Sequence, residues 1–215
     1  MKPLLLLALT GLLACASSSQ ESGLDAGAGG AAGSGAGGQA GTAGMAGTAG
    51  TGGGHSDSER LVFVTVFVSD ADLGGLQGAD AICAGEAADA GLEGDFKAWL
   101  STVDTAVAAR FAQSEAPYVL VDGTRIADDW TDLTDGSLLA PIDLDAAGQR
   151  RGGDVWTGTL PSGAPYEVDD SDCDGYSSNG TGMGLCGTTQ STGTAWSASQ
   201  TPACSTRLRL FCFEQ

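Results

Sequence analysis

The chain is short of cations and almost without histidine. Its 215 residues include 9 lysines and arginines, 27 aspartates and glutamates, and a single histidine, His55. A formal net charge of −18 leaves no basic footprint for nucleic acid, and an anionic bilayer surface would repel it. Because His55 lies in a Gly-rich stretch near the N-terminus, the body of the chain has no histidine. Ser-His-Asp and Cys-His catalysis and ordinary His-ligated zinc are therefore excluded there. No apolar run reaches the roughly 20 residues needed to span a bilayer. No cysteine pair has Cys-x-x-Cys spacing, which removes the common zinc and redox motifs.

The N-terminus reads as an export signal. Met1-Lys2-Pro3 is followed by an apolar run from Leu4 to Leu13 and then by Ala14-Cys15. One cation followed by about ten apolar residues is the pattern of a secretory leader. Leu12-Leu13-Ala14-Cys15 resembles the bacterial lipobox, in which the peptide is cut just before a cysteine whose thiol carries acyl chains. This resemblance implies residues 1–14 as signal peptide and Cys15 as the lipid attachment point. The mature chain is then anchored to a membrane rather than soluble. Residue 16 is Ala rather than the Asp associated with inner-membrane retention, which favours the outer membrane of a Gram-negative cell.

Residues 15–60 read as a tether. Glycine is roughly twice its average usage of about 7%, and 15 of the 35 glycines fall in residues 21–54 together with 9 alanines. Ala-Gly-Thr recurs at 40–42, 46–48 and 49–51, and Leu24 and Met45 are the only large apolar residues between 16 and 60. Such a composition cannot bury enough surface to offset its ordering entropy. A coil of this length reaches roughly 35–40 Å.

The body, 61–215, holds 23 of the acids and 7 of the bases, a net charge near −16. The run Leu61–Val68 is β-branched and aromatic and predicts a buried strand of eight residues. Ala79, Ile82, Cys83, Ala87 and Ala90 share one face of a helix expected over 76–92. Short strands are expected at 96–100, 154–159 and 207–213, and short helices at 106–111 and 128–133. Asp122-Gly123 predicts a type I′ hairpin between 117–121 and 124–127. One good helix, many short strands and long loops between Gly136 and Ser205 predict an α+β fold rather than a βαβ repeat.

Five cysteines lie in the body: Cys83, Cys173, Cys186, Cys204 and Cys212. Export permits disulfides, and an odd count leaves one over. Cys186, in a Gly-Met-Gly-Leu-Cys-Gly loop, is the candidate, open to two readings: a free thiol or an intermolecular bond.

Several motifs together carry a family resemblance. They are residues 74–83 (GGLQGADAIC), 90–101 (AGLEGDFKAWLS), 117–123 (PYVLVDG), 130–136 (WTDLTDG), 155–158 (VWTG) and 209–214 (RLFCFE). In this order they resemble the endostatin-like bacterial domain of spirochaete surface lipoproteins, across essentially all of 61–215. The resemblance implies a C-type-lectin-like fold with two nested bridges, first cysteine to last and the middle two together. Carried to this sequence, that means Cys83–Cys212 and Cys173–Cys204, with Cys186 as a departure from the pattern.

Candidate binding residues are sparse. Asp170, Asp172 and Asp174 before Gly175 match the opening of a calcium loop, but its twelfth position is Thr181 rather than Glu. Calcium is thus the one cofactor candidate; otherwise none is expected. Asp70 and Asp72 before Gly74 form a weaker acidic loop, read as a turn. Trp99 and Trp156 lie in apolar runs and read as core, whereas Trp130 and Trp196 lie in polar contexts and read as candidate ligand-stacking aromatics. The expected function is that of a lipid-anchored, non-catalytic surface module recognising an extracellular protein or glycan. The alternatives are a structural envelope lipoprotein and a carboxylate-dependent glycan hydrolase.

Overall fold

The computed structural model describes residues 58–168 and 170–215. The leader, Cys15, His55 and nearly all of the tether lie outside the described residues. What is described is a mixed α/β body with two disulfides. Its strands are β1 (Arg60–Val64), β2 (Phe96–Ala98), β3 (Tyr118–Leu120), β4 (Arg125–Ala127), β5 (Asp154–Trp156), β6 (Cys186–Thr188) and β7 (Phe211–Glu214). Its helices are α1 (Gly75–Asp89), α2 (Val107–Arg110) and α3 (Trp130–Leu133), with a kinked turn α4 (Cys173–Tyr176) and a 3-10 turn at Thr194–Trp196. Among the described residues, no helix is long and apolar enough to cross a membrane.

The first strand organises the sheet. The order is β2-β7-β1-β3-β4, with β7 antiparallel to both β2 and β1, and β1 parallel to β3. Successive side chains of β1 point to opposite faces. Leu61 and Phe63 pack with Ala79, Cys83 and Ala87 of α1, while Val62 and Val64 pack with Trp99, Phe111, Trp196 and Phe213. Both faces are thus covered, which is why this strand is continuously apolar instead of alternating. A second sheet pairs β5 with β6.

Helix α1 lies close to the sheet because its inward stripe is small: Ala79, Cys83 and Ala87, spaced by four. Gly78 permits its entry. A Cβ there would meet the Leu73 carbonyl oxygen at 1.9 Å, so no other residue fits without moving backbone. Cys83 faces β7 and is bonded to Cys212, with their Cα atoms 5.4 Å apart. Asp80, one turn before Cys83, holds the Arg110 guanidinium through two 2.7 Å bonds, which ties α1 to the end of α2.

Two local expectations change, and one holds. Strand β1 ends at Val64, not Val68, and Val66 and Phe67 are exposed. The run is apolar throughout, but the backbone amides of Val66 and Phe67 are taken by the Glu86 carboxylate rather than by a strand. The hairpin is not type I′, because Gly123 is the one left-handed residue in its turn, at φ 84°. Gly123 donates to the Leu120 carbonyl and Leu120 to that of Thr124, a three-residue turn closed by glycine. The expectation that holds concerns the odd cysteine. The second bridge joins Cys173 to Cys204, and Cys186 is free and fully buried. Of the two readings of Cys186, this burial favours the free thiol.

Burial, and secondarily Asp154, push the Cys186 thiol up to about 11. Only the thiolate is a strong nucleophile. Iodoacetamide at pH 8 should therefore leave Cys186 unlabelled in the native chain and label it fully after denaturation without reductant. Stoichiometric native labelling, read by peptide mass, would contradict this burial.

Candidate binding face

The loops between 136 and 205 divide into an inward part and an outward part. The inward part is a buried hydroxyl network. Trp99 Nε1 donates to Ser197 Oγ at 2.8 Å, Ser197 Oγ donates to the Thr159 carbonyl at 2.7 Å, and Thr159 Oγ1 donates to Ser101 Oγ at 2.9 Å. Thr157 Oγ1 donates to the Ser197 carbonyl at 2.7 Å. Beside this network Trp196 is fully buried, with its ring 4.9 Å from Trp99. The Ser/Thr-rich sequence around it looks like surface, yet Ser197 turns its hydroxyl into this network, while the Thr189 hydroxyl and the Trp196 indole N–H are buried with no partner among the described residues. Trp130 is half-buried with its ring 5.9 Å from Trp99. The expectation for Trp196 is therefore corrected, since it is core, whereas Trp130 stays part-exposed beside it.

The outward part is acidic. A cavity of about 790 Å³ is walled by the carboxylates of Glu167, Asp170, Asp172 and Asp174, with Val103, Val168 and Thr181 beside them. Among the described residues, no lysine or arginine lines it. The loop beneath has an unusual backbone. Asp170, Cys173, Asp174 and Tyr176 are non-glycine residues at φ 54–60°, and Gly175 is at φ 64°. Each such non-glycine residue costs of order 1–2 kcal/mol. Surrounding contacts must therefore hold the loop. Cys173 is bridged to Cys204. Asp172 accepts from the Gly175 amide at 3.2 Å and, through its other oxygen, from the Val103 amide at 3.0 Å. The Tyr176 ring lies 6.0 Å from Trp156, and the Tyr176 carbonyl accepts from the Leu73 amide at 3.0 Å.

This geometry revises the calcium expectation. Asp172 is buried and both its oxygens are committed to backbone amides, whereas Asp170 and Asp174 are exposed. Among the described residues no three such side chains are grouped to hold a metal ion. Millimolar calcium should leave the Tm unchanged; a rise that saturates with calcium would overturn this. Asp70 likewise serves a turn, accepting from the Asp72 amide at 3.3 Å and from Asn179 Nδ2 at 2.9 Å.

A general acid needs a raised carboxyl pKa. Asp145 has the reverse. Desolvation raises it, but hydrogen bonds from the Gln149 and Ala147 amides and the Arg151 guanidinium at 2.7 Å together lower it. Asp122 is also lowered, first by the Thr124 amide. Both are ionised structural groups.

Thr181 and the Asp170–Asp174 run were visible in the sequence as an incomplete calcium pattern. Val103 was not, because nothing local pairs residue 103 with residue 172. No family model matches the chain, and no curated protein matches it.

Proposed function

We propose that this chain is a lipid-anchored, non-catalytic binding module displayed on the cell envelope of a Gram-negative bacterium. Acyl groups on Cys15 hold it, residues 16–60 extend it, and the body presents its loops to an extracellular protein or glycan. The observation that carries the reading is the acidic cavity on a left-handed loop. Four carboxylates are kept together, with no lysine or arginine among the described lining residues, on backbone that is costly to hold. Strained backbone kept in place by surrounding contacts is a feature of ligand-contacting loops. The ligand that fits is cationic: lysine or arginine side chains, or an amino sugar. The body charge near −16 would steer such a ligand toward it.

A C-type-lectin-like, endostatin-like architecture is the finer reading of the fold. It is supported by the motif order and by the nested bridges Cys83–Cys212 and Cys173–Cys204. The adjacency of first and last strands, β1 beside β7, supports it further.

Two measurements test the proposal. Palmitate should label the full-length chain in bacteria and not the Cys15→Ser variant; labelling that survives would remove the anchor. The full-length chain on an array of extracellular proteins and glycans should show saturable binding to basic members. Binding to none would remove the receptor role.

A further inference from the structure

Val66 and Phe67 are 50% and 48% exposed, yet their backbone is tied down. Glu86 accepts from two successive amides, Val66 at 2.8 Å and Phe67 at 2.7 Å. From the chain's C-terminal segment, Arg209 Nη1 donates to the Thr65 carbonyl at 2.8 Å and the Val66 carbonyl at 2.6 Å. Arg207 Nη2 donates to the Val68 carbonyl at 2.9 Å. Three charged side chains thus fix five backbone groups in four consecutive residues beyond the end of β1. Water could satisfy those groups in an ordinary surface loop. The ties instead set the position of two large apolar side chains held in solvent.

Beside them lies a cleft of about 430 Å³, formed by Val66, Phe67, Ala90 and Ala146 with Glu86 and Asp89 at its edge. Glu86 and Asp89 occupy the last turn of α1, which contains no basic residue. A helix C-terminus carries partial negative charge of its own. Glu86 is committed to two amides, and Arg207 and Arg209 reach the neighbouring carbonyls without lining the cleft, so Asp89 and the helix end are the charges of one sign left facing it. We infer that this cleft docks an apolar side chain of a partner polypeptide flanked by arginine or lysine. Phe67 and Val66 supply the contact area, and Asp89 with the α1 terminus supplies the countercharge. The charge selects the occupant. An acidic segment is repelled, and a second copy would bring another body with 23 acids and 7 bases. This cleft shares no lining residue with the acidic cavity, so the two inferences stand or fall separately.

The test titrates the full-length chain with three labelled nonapeptides, read by fluorescence anisotropy: alternating leucine and arginine, leucine and glutamate, and serine and arginine. The leucine–arginine peptide should bind saturably and more tightly than the other two. Both Phe67→Ser and Asp89→Arg should weaken it by at least about tenfold, the scale of a contact at the centre of an interface. Rising salt should weaken it too. The pair Asp170→Asn/Asp174→Asn should leave it unchanged. Residues 67 and 89 are exposed, so an unchanged Tm will show that each variant folds. Equal binding of the leucine–glutamate peptide, indifference to Phe67→Ser, or no saturable binding would overturn the inference. So would a Phe67-dependent dimer in sedimentation without peptide, which would make a second copy the occupant.

Discussion

Replacing Cys83 and Cys212 together by alanine is expected to lower unfolding free energy by about 5 kcal/mol. The bridge spans 129 residues and joins α1 to the last strand, so its loss releases nearly the whole body in the unfolded state. For a domain of this size each kcal/mol shifts Tm by roughly 2–4 °C, so the midpoint should fall by about 10–20 °C. The inner bridge spans 31 residues, and its loss should cost about 1 kcal/mol less on the same loop-closure argument. Its effect should be concentrated at the acidic loop, because Cys173 is itself one of the left-handed residues there. Thermal and denaturant unfolding of the two double variants measures both. A loss below about 2 kcal/mol for the outer pair would contradict the account.

Trp99→Ala is expected to cost about 4–5 kcal/mol, the upper range for a large aromatic removed from a core. Trp99 is fully buried, and the rings of Trp196, Phe213, Phe111 and Trp130 lie 4.9, 5.3, 5.7 and 5.9 Å from it. Its indole also donates to Ser197 Oγ at 2.8 Å. The substitution would open a cavity and take a donor from the buried hydroxyl network at once. Trp99→Phe keeps a ring and loses the donor, so it should cost about 1–3 kcal/mol for the unmet hydrogen bond and the smaller volume. Guanidinium unfolding of the two variants should rank them in that order. Equal losses would mean that the network, not the aromatic packing, dominates this site.

The central strand, α1 and the short helices were legible because each follows from a local pattern. Leu61–Val64 is apolar on both faces, and Ala79, Cys83 and Ala87 recur by fours. Asp129 precedes α3 as a cap and accepts from the Asp132 amide at 2.9 Å. What was not legible depends on contacts distant in sequence. Trp196 looked exposed because serine and threonine surround it, but residues as far away as 99 and 159 meet the Ser197 hydroxyl inside. Val66 and Phe67 looked buried because they extend an apolar run, but Glu86 and Arg209 hold their backbone out of the sheet. The acidic site was half legible. The Asp170–Asp174 run stood out, while the commitment of Asp172 to the Val103 amide, 69 positions away, had no local signal.

The same contact separates the two roles within the acidic loop. Asp172 builds the loop, and Asp170 and Asp174 are the exposed carboxylates left to meet a ligand. The most direct measurement is therefore the affinity of the full-length chain for its strongest basic array partner, compared with the Asp170→Asn/Asp174→Asn variant. The account predicts at least about a tenfold loss for the variant, at unchanged Tm, with wild-type binding weakening as salt rises. Affinity that is the same in the variant and insensitive to salt would contradict it.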